Sequence, residues 1–279
     1  MTNVLNRTRR IVFLLMGFAM LGSLMLDNPV MAEDEHIGRI KLRIMCFNIH
    51  HGEGTDGELD LDRIAEVIKA NEPDVVMLQE VDSRTTRSGG EDQVAVLAEL
   101  TGMHGIFGPA ISYDNGQYGN AILSRFPINS HRNYKLPRPN KKEQRAVLTI
   151  RVKLAKGTYV RFGSTHLQHT HLESRVKQAK WINERLVKND EAFILSGDFN
   201  AEPGDQAINL LDKMWNRVGE QDDLATFPAG QPQKTIDHVY LRNTSTVSPI
   251  KAWVVDSGKA SDHRPLMVEL DLKIKRKEQ

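Results

Sequence analysis

Residues 39–81 set the narrowest limits on what this chain can become. The stretch Arg39 to Ile49 alternates polar and apolar residues at first and then turns fully apolar, the pattern of a strand that starts at a sheet's rim and ends inside the core. Asp60 is placed to cap a helix that carries Leu61, Ile64, Ala65 and Ile68 on one face. Pro73 restarts the chain into a second apolar strand, Asp74 to Val81. Strand, amphipathic helix, strand is the repeating unit of a layered α/β sheet. The later chain continues in kind. Residues 145–154 and 159–166 read as a hairpin around a Lys156-Gly157 turn. A helix over Glu173 to Val187 then feeds an apolar strand at Ala192, and three strand-like pieces follow at 235–241, 250–255 and 265–272. Shorter helices are expected at 93–100, closed by Gly102, and after Pro203-Gly204. Residues 82–92, 113–120 and 129–144 read as loops. The mixture predicts one α/β sandwich of mixed sheets rather than a purely parallel fold.

The first residues stand apart. Arg7, Arg9 and Arg10 precede the apolar run Ile11 to Leu26, and Val30-Met31-Ala32 offers small residues before Glu33. That is a secretory signal peptide cleaved after Ala32, which leaves 33–279 as one exported domain, periplasmic or secreted. The apolar run is short for a membrane span, so no stable span is expected after cleavage; an uncleaved anchor is the alternative. Removing residues 1–32 takes away three Arg and one Asp and turns the net charge from +1 to −1. A protein that grips long nucleic acid usually carries a basic excess, which this one lacks. Its single cysteine, Cys46, falls in an apolar strand and is read as a core residue.

Polar residues recur where apolar strands end: Asn48, Glu80, His166, Asp198, Asn200, Asp237-His238 and Asp262-His263. Each alone has an ordinary explanation as a turn or surface residue. Together they are the inventory of a hydrolytic metal site. Glu80 and Asn48 can supply the oxygen atoms a hard cation wants. Asp198, His166 and His263 can supply a base and an acid. Asp237 or Asp262 can orient His263, and Asn200 can donate to a developing oxyanion. Zinc is disfavoured, because no His/Cys cluster has its spacing.

These motifs resemble the endonuclease/exonuclease/phosphatase (DNase I-like) superfamily. The resemblance rests on eight of them in the family's order: Phe47-Asn48-Ile49, Leu78-Gln79-Glu80-Val81, Tyr118 to Ser124 (YGNAILS), Arg145, Thr165-His166-Leu167, Gly197-Asp198-Phe199-Asn200, Ile236 to Val239 and Ser261 to Pro265. It implies a four-layer α/β sandwich, two packed mixed β-sheets flanked by helices. It also implies a Mg²⁺ (or Mn²⁺) ion at Glu80 with Asn48 and Asp262 nearby, and a water activated by Asp198. Asn200 and His263 would contact the phosphate, with His263 held by Asp237; His166 and Arg145 would assist, and Tyr118 and Asn120 would contact substrate. The expected activity is hydrolysis of a small or lipid-linked phosphate ester by a monomer. The second reading is a secreted DNase I-like endonuclease with a basic rim from Arg84, Arg87, Arg138, Lys141, Lys142 and Arg145. The additional imidazoles His50, His51, His169 and His171 have two readings: cleft residues that bind phosphate or a second metal, or loop residues without a chemical role.

Overall fold

The computed structural model describes residues 37–187, 191–220 and 223–275; the segment read as a signal peptide lies outside them. The first α/β unit forms as its sequence asks. β1 (Ile37–Asn48) and β2 (Val75–Ser83) pair in parallel, joined through α1 (Leu61–Asn71). Asp60 caps α1 by accepting from Arg63 N at 2.9 Å. Alternate residues of β1 face opposite ways. Met45 and Phe47 meet Ile64, Ala65 and Ile68 of α1, whereas Ile44 and Cys46 face the interior between the sheets. The fully buried Cys46 is thus the core residue expected. α2 (Gln93–Thr101) packs on the same face and ends at Gly102, whose φ of +68° closes the helix in the left-handed region.

The unit recurs in a second sheet. β7 (Thr158–His166) and β8 (Ala192–Asp198) are parallel, joined through α3 (Leu172–Leu186), with α4 (Gln206–Asp212) beside it. The remaining strands are β3 (His104–Tyr113), β4 (Gly116–Ser124), β5 (Ile128–Lys135), β6 (Ala146–Ala155), β9 (Asn216–Arg217), β10 (Asp237–Arg242), β11 (Val247–Val254) and β12 (Leu266–Lys275). The strand orders are β11-β12-β1-β2-β4-β3 and β5-β6-β7-β8-β10-β9. The sheets pack face to face over Ile44, Met77 and Ile122 on one side and Leu148, Phe162 and Ile194 on the other. Two buried hydrogen bonds also join them: Gln79 Nε2 donates to Ser164 Oγ at 3.0 Å, and Ser164 Oγ to Leu78 O at 2.8 Å.

Two expected loops are strands. Residues 113–120 are mostly the hairpin of β3 and β4, and only Asp114 and Asn115 turn, with φ of +44° and +64°. Glycines at 105, 108, 116 and 119 hide these strands by propensity, yet a Cβ on Gly119 would run into the Gly108 carbonyl. Within 129–144, Ile128–Lys135 is the edge strand β5, where exposed charged residues are tolerated. The two-residue β9 is too short to leave a pattern.

Gly197 matters most for the site. It lies on β8 against the Thr165 carbonyl of β7, and a Cβ there would overlap that oxygen. Gly197→Ala is therefore expected to pry the two strands apart and lower stability in urea by about 1–3 kcal/mol. An unchanged urea midpoint would contradict this packing.

Candidate active site

Strand register assembles one half of the site. His166 is the parallel neighbour of Asp198, and Asp198 is the antiparallel neighbour of Asp237. The ends of β7, β8 and β10 thus set three titratable groups in one row. The other sheet supplies the second half. β1 ends at Asn48, and the pairing of β2 with β4 slips between Leu78 and Val81. Glu80 sits in that bulge at φ +56°, a backbone strain of about 1–3 kcal/mol that frames at functional sites commonly absorb. Asp262 and His263 immediately precede β12, which pairs with β1.

The side chains converge. Asn48 Nδ2 donates to Glu80 Oε1 at 3.0 Å and to Asp198 Oδ2 at 3.1 Å. The oxygen of that amide accepts from His50 N at 3.1 Å. Asp198 Oδ1 accepts from Asn200 N at 2.8 Å. His263 Nδ1 lies 2.8 Å from Asp237 Oδ2, and its Nε2 lies 3.8 Å from Asp198 Oδ2. Asp237, rather than Asp262, is therefore the carboxylate that orients His263. Arg145 Nη1 sits 2.9 Å from Glu143 and 3.2 Å from His166 Nδ1. A guanidinium can only donate, so His166 Nδ1 accepts and the imidazole proton is on Nε2. A protonated Nε2 cannot also accept from the Asn200 amide nitrogen 2.9 Å away. The Asn200 NH₂ is held instead by the Leu167 carbonyl, to which Nδ2 donates at 3.2 Å.

Burial and crowding set the charges. Burial pushes the Asp198 carboxyl up, and neighbouring Asp237 pushes it further, to about 7. Burial pulls His263 down, but Asp237, Asp198 and Asp262 together outweigh that and raise it to about 10, so it is a cation at neutral pH. His166 is held neutral by burial and by the Arg145 charge. Its 3.5 Å approach to Asp198 is therefore a contact of a neutral ring, not an ion pair.

These groups line a cleft of about 690 Å³ that includes Glu80, Tyr118, Arg145, Asp198, Asn200 and His263. Asp262 lines it too. A larger groove of about 960 Å³ lies around Lys41, Asp74 and Glu269, whose charges are already paired with one another and with neighbours. Glu80, His166 and Asp198 offer ligand atoms within 4.8 Å of one another, as do Asp198, Asp237 and His263. The first group suits a divalent cation; in the second, His263 is charged at neutral pH and has no lone pair to offer one.

The comparisons with known proteins decide the family. The model of the Endonuclease/Exonuclease/phosphatase family matches residues 45–263. The chain belongs to this family. Family members hydrolyse phosphoesters. YbhP of Escherichia coli K12 is 25% identical over 255 residues, covering 84% of this chain and 98% of YbhP. A solved family structure from Beutenbergia cavernae superposes with a TM-score of 0.68 at 26% identity, over 83% of this chain and 72% of that one. The mannosyl-6-phosphatase Bt3783 of Bacteroides thetaiotaomicron shares the fold, with a TM-score of 0.68 at 20% identity over 82% and 99% of the two chains. The two packed mixed sheets flanked by helices are the DNase I-like sandwich expected.

Not every expected site residue reaches the cleft. Asn120 is not in its lining; it is buried, with Nδ2 donating to Ala146 O at 3.0 Å, and ties β4 to β6. His238 turns into the fold, with Nε2 2.9 Å from Ala201 O. Burial lowers its pKa to about 4. The unfolded chain takes up that proton near pH 6.5, well before the native state does. Stability is therefore expected to fall as pH drops from about 6.5 to 4, by up to ~3 kcal/mol from this group. Urea midpoints across that range check this, and His238→Gln should flatten the slope.

His169 lines the cleft, whereas His50, His51 and Glu53 form a separate group whose ligand atoms also lie within 4.8 Å of one another. His171 is the residue at the start of α3, beside Ser174 Oγ. Several residues that line the cleft or hold its side chains left no sequence signal. Thr226 Oγ1 donates to Asp237 Oδ2 at 2.5 Å, and Phe227 packs against His263 at 4.8 Å between ring centres. Both come from an irregular segment without periodicity. Gln168, Arg175 and Lys234 also line the cleft.

Proposed function

We propose that the chain is an exported Mg²⁺-dependent phosphoester hydrolase, with Mn²⁺ able to substitute, acting on a small or lipid-linked phosphate ester. One observation carries this reading: Glu80 of one sheet and the His166–Asp198–Asp237 row of the other meet at one cleft, with His263 between two carboxylates. The donor set suits a hard cation. Glu80 and Asp198 are oxygen donors close to one another in the cleft, Asp262 lines it too, and the crowding of negative charge around Asp198 is what a bound cation would relieve. Glu80 would be its main ligand and Asp262 a further one. Asn48 holds the two carboxylates through its Nδ2, and its Oδ1, which gives only one of two lone pairs to His50 N, would be a further ligand directly or through water. When bound, Mg²⁺ supplies Lewis-acid polarisation of a phosphoryl oxygen.

The chain's own residues do the rest. Asp198 takes the proton of the attacking water, with its pKa close to neutral so that it can accept and release it. Asn200, whose Nδ2 gives one hydrogen to Leu167 O, uses the second on a non-bridging oxygen. His263, kept positive by Asp237, faces the charge that builds on phosphorus. Arg145, fixed by Glu143 and His166, adds a second positive group. Tyr118 closes one wall, with the Arg87 guanidinium 5.5 Å over its ring.

The endonuclease reading is less well supported. Of its six proposed rim residues only Arg145 lines the cleft, and Arg87 is bound to Asp82 at 2.7 Å. Glu143 and Asp205 of the cleft wall neutralise Arg145 and Arg175, and Glu202 adds a negative charge, which leaves little basic excess for a polyanion. A panel of p-nitrophenyl phosphate, bis-p-nitrophenyl phosphate and plasmid DNA with Mg²⁺ between 50 and 200 mM salt tests this. Turnover of a small ester with little salt dependence is expected; plasmid cleavage that falls steeply with salt, with no small-ester turnover, would favour the nuclease. For the export proposal, mass spectrometry of protein released by the native host should find Glu33 as the first residue. An intact Met1 would support the anchor instead.

A further inference from the structure

We propose that His50, His51 and Glu53 form a second metal site, distinct from the cation site at Glu80, for an imidazole-preferring divalent ion of the Zn²⁺ class. The three residues lie in the turn that follows β1, outside the lining of the cleft. One nitrogen of each ring and one oxygen of the Glu53 carboxylate lie within 4.8 Å of one another. Two imidazoles and a carboxylate are a donor set that zinc takes in three-ligand sites, with water as the fourth ligand. The oxygen donors Glu80 and Asp198 suit Mg²⁺ instead.

The backbone brings these donors together. Adjacent side chains on a strand point to opposite faces, so His50 and His51 would not meet in an extended chain. Here both residues adopt the left-handed conformation, with φ of +45° and +47°, and their rings stand with centres 4.5 Å apart. Such a conformation costs a non-glycine residue about 1–3 kcal/mol and persists only where the surroundings over-determine it. The turn is held from both sides. His50 N donates to Asn48 Oδ1 at 3.1 Å, and Gln93 Nε2 of α2 donates to His51 O at 2.5 Å.

The donor atoms are spaced for a metal rather than for each other. His50 Nδ1 lies 3.2 Å from Glu53 O. A carbonyl only accepts, so Nδ1 carries the proton and the lone pair of the neutral ring is on Nε2. A bond from the other ring nitrogen to a main-chain carbonyl is how metal-bound imidazoles are commonly fixed. His51 Nε2 lies 3.4 Å from Glu53 Oε2. That is long for a charge-assisted hydrogen bond, which runs about 2.7–2.9 Å. It matches two donors that each stand about 2.1 Å from one tetrahedral zinc. The His51 ring is buried and its Nδ1 has no partner, so a metal at Nε2 would anchor it. Burial, with the Arg87 charge, lowers its pKa and keeps the ring neutral. His50 and Glu53 are partly exposed and give an ion a way in from solvent.

Equilibrium dialysis against Zn²⁺ in excess Mg²⁺, read as zinc bound per chain, tests this in the wild type, His50→Ala, Glu53→Gln and Glu80→Gln. The wild type and Glu80→Gln are expected to bind one Zn²⁺ per chain. His50→Ala and Glu53→Gln should each weaken that binding at least about a hundredfold, more than the loss of an outer-sphere partner brings. Zn²⁺ should also raise the thermal midpoint of the wild type and leave that of these two variants unchanged. Both replaced side chains are partly exposed, and circular dichroism should show the fold intact without zinc. No Zn²⁺ bound by the wild type, or undiminished affinity in either His50→Ala or Glu53→Gln, overturns the proposal. Loss of zinc in Glu80→Gln places the ion in the cleft and overturns it too. Dialysis reads binding without turnover, so each outcome is independent of the hydrolase reading.

Discussion

Replacing Asp198 by Asn is expected to lower kcat on bis-p-nitrophenyl phosphate by about a thousandfold, within the range that removal of a general base produces. The substitution keeps the shape of the side chain and removes the group that accepts the proton of water. It should not unfold the protein. Asp198 is buried at the meeting point of Asn48, Asn200, His166 and His263, and burial with Asp237 raises its pKa to about 7. Between about pH 4 and 7 the native state, free of metal, holds a proton there that the unfolded chain has given up. Ionisation of Asp198 therefore costs stability as pH rises through that window, and a neutral Asn removes the cost. The expected outcome is a thermal midpoint at pH 7.5 equal to or above the wild-type value, with activity nearly gone. Such a trade of stability for function is common where charges are forced together. A variant within tenfold of wild-type kcat would show that another group activates the water.

Glu80→Gln is expected to lose at least about a hundredfold in Mn²⁺ affinity, more than the 10–100-fold that outer-sphere partners typically contribute. Activity at fixed Mg²⁺ should fall in parallel and recover in part as Mg²⁺ is raised. The side chain is isosteric, and Asn48 Nδ2 can still donate to its carbonyl oxygen. The backbone bulge that places residue 80 at φ +56° should therefore persist. Calorimetric titration with Mn²⁺ reads the affinity directly and separates it from turnover. Unchanged Mn²⁺ affinity would contradict Glu80 as the main ligand.

The parts of this fold written in strong local patterns were legible. The α1 and α2 units announce themselves through Asp60, Pro73 and Gly102, and β1, β2 and β8 through apolar runs that end in a polar residue. The hairpin of β3 and β4 was not legible. Its glycines serve close backbone approach, and that demand comes from neighbours distant in sequence. The edge strand β5 resembled a loop because it pairs with a neighbouring strand on one side only, among the described residues. The site divides in the same way. Strand ends pointed to Glu80, His166, Asp198 and Asp237, since a residue's place at a sheet edge follows from where an apolar run stops. Asn120 misled, because an amide in a strand can equally face a substrate or, as here, bond a carbonyl of the next layer. Thr226, Phe227 and Lys234 stayed silent. Phe227 and Lys234 reach the cleft, and Thr226 reaches Asp237, from a segment ordered by tertiary bonds, such as Ala229 N to Asp262 O at 2.7 Å, that no local pattern encodes.

The most direct test of the central assignment is phosphoester hydrolysis by residues 33–279 before and after removal of divalent metal. With Mg²⁺ or Mn²⁺, p-nitrophenyl phosphate or its bis-ester should be hydrolysed, EDTA should abolish the reaction, and added Mg²⁺ should restore it. Hydrolysis that persists undiminished in EDTA, or no hydrolysis of either ester with any divalent cation, would contradict the account.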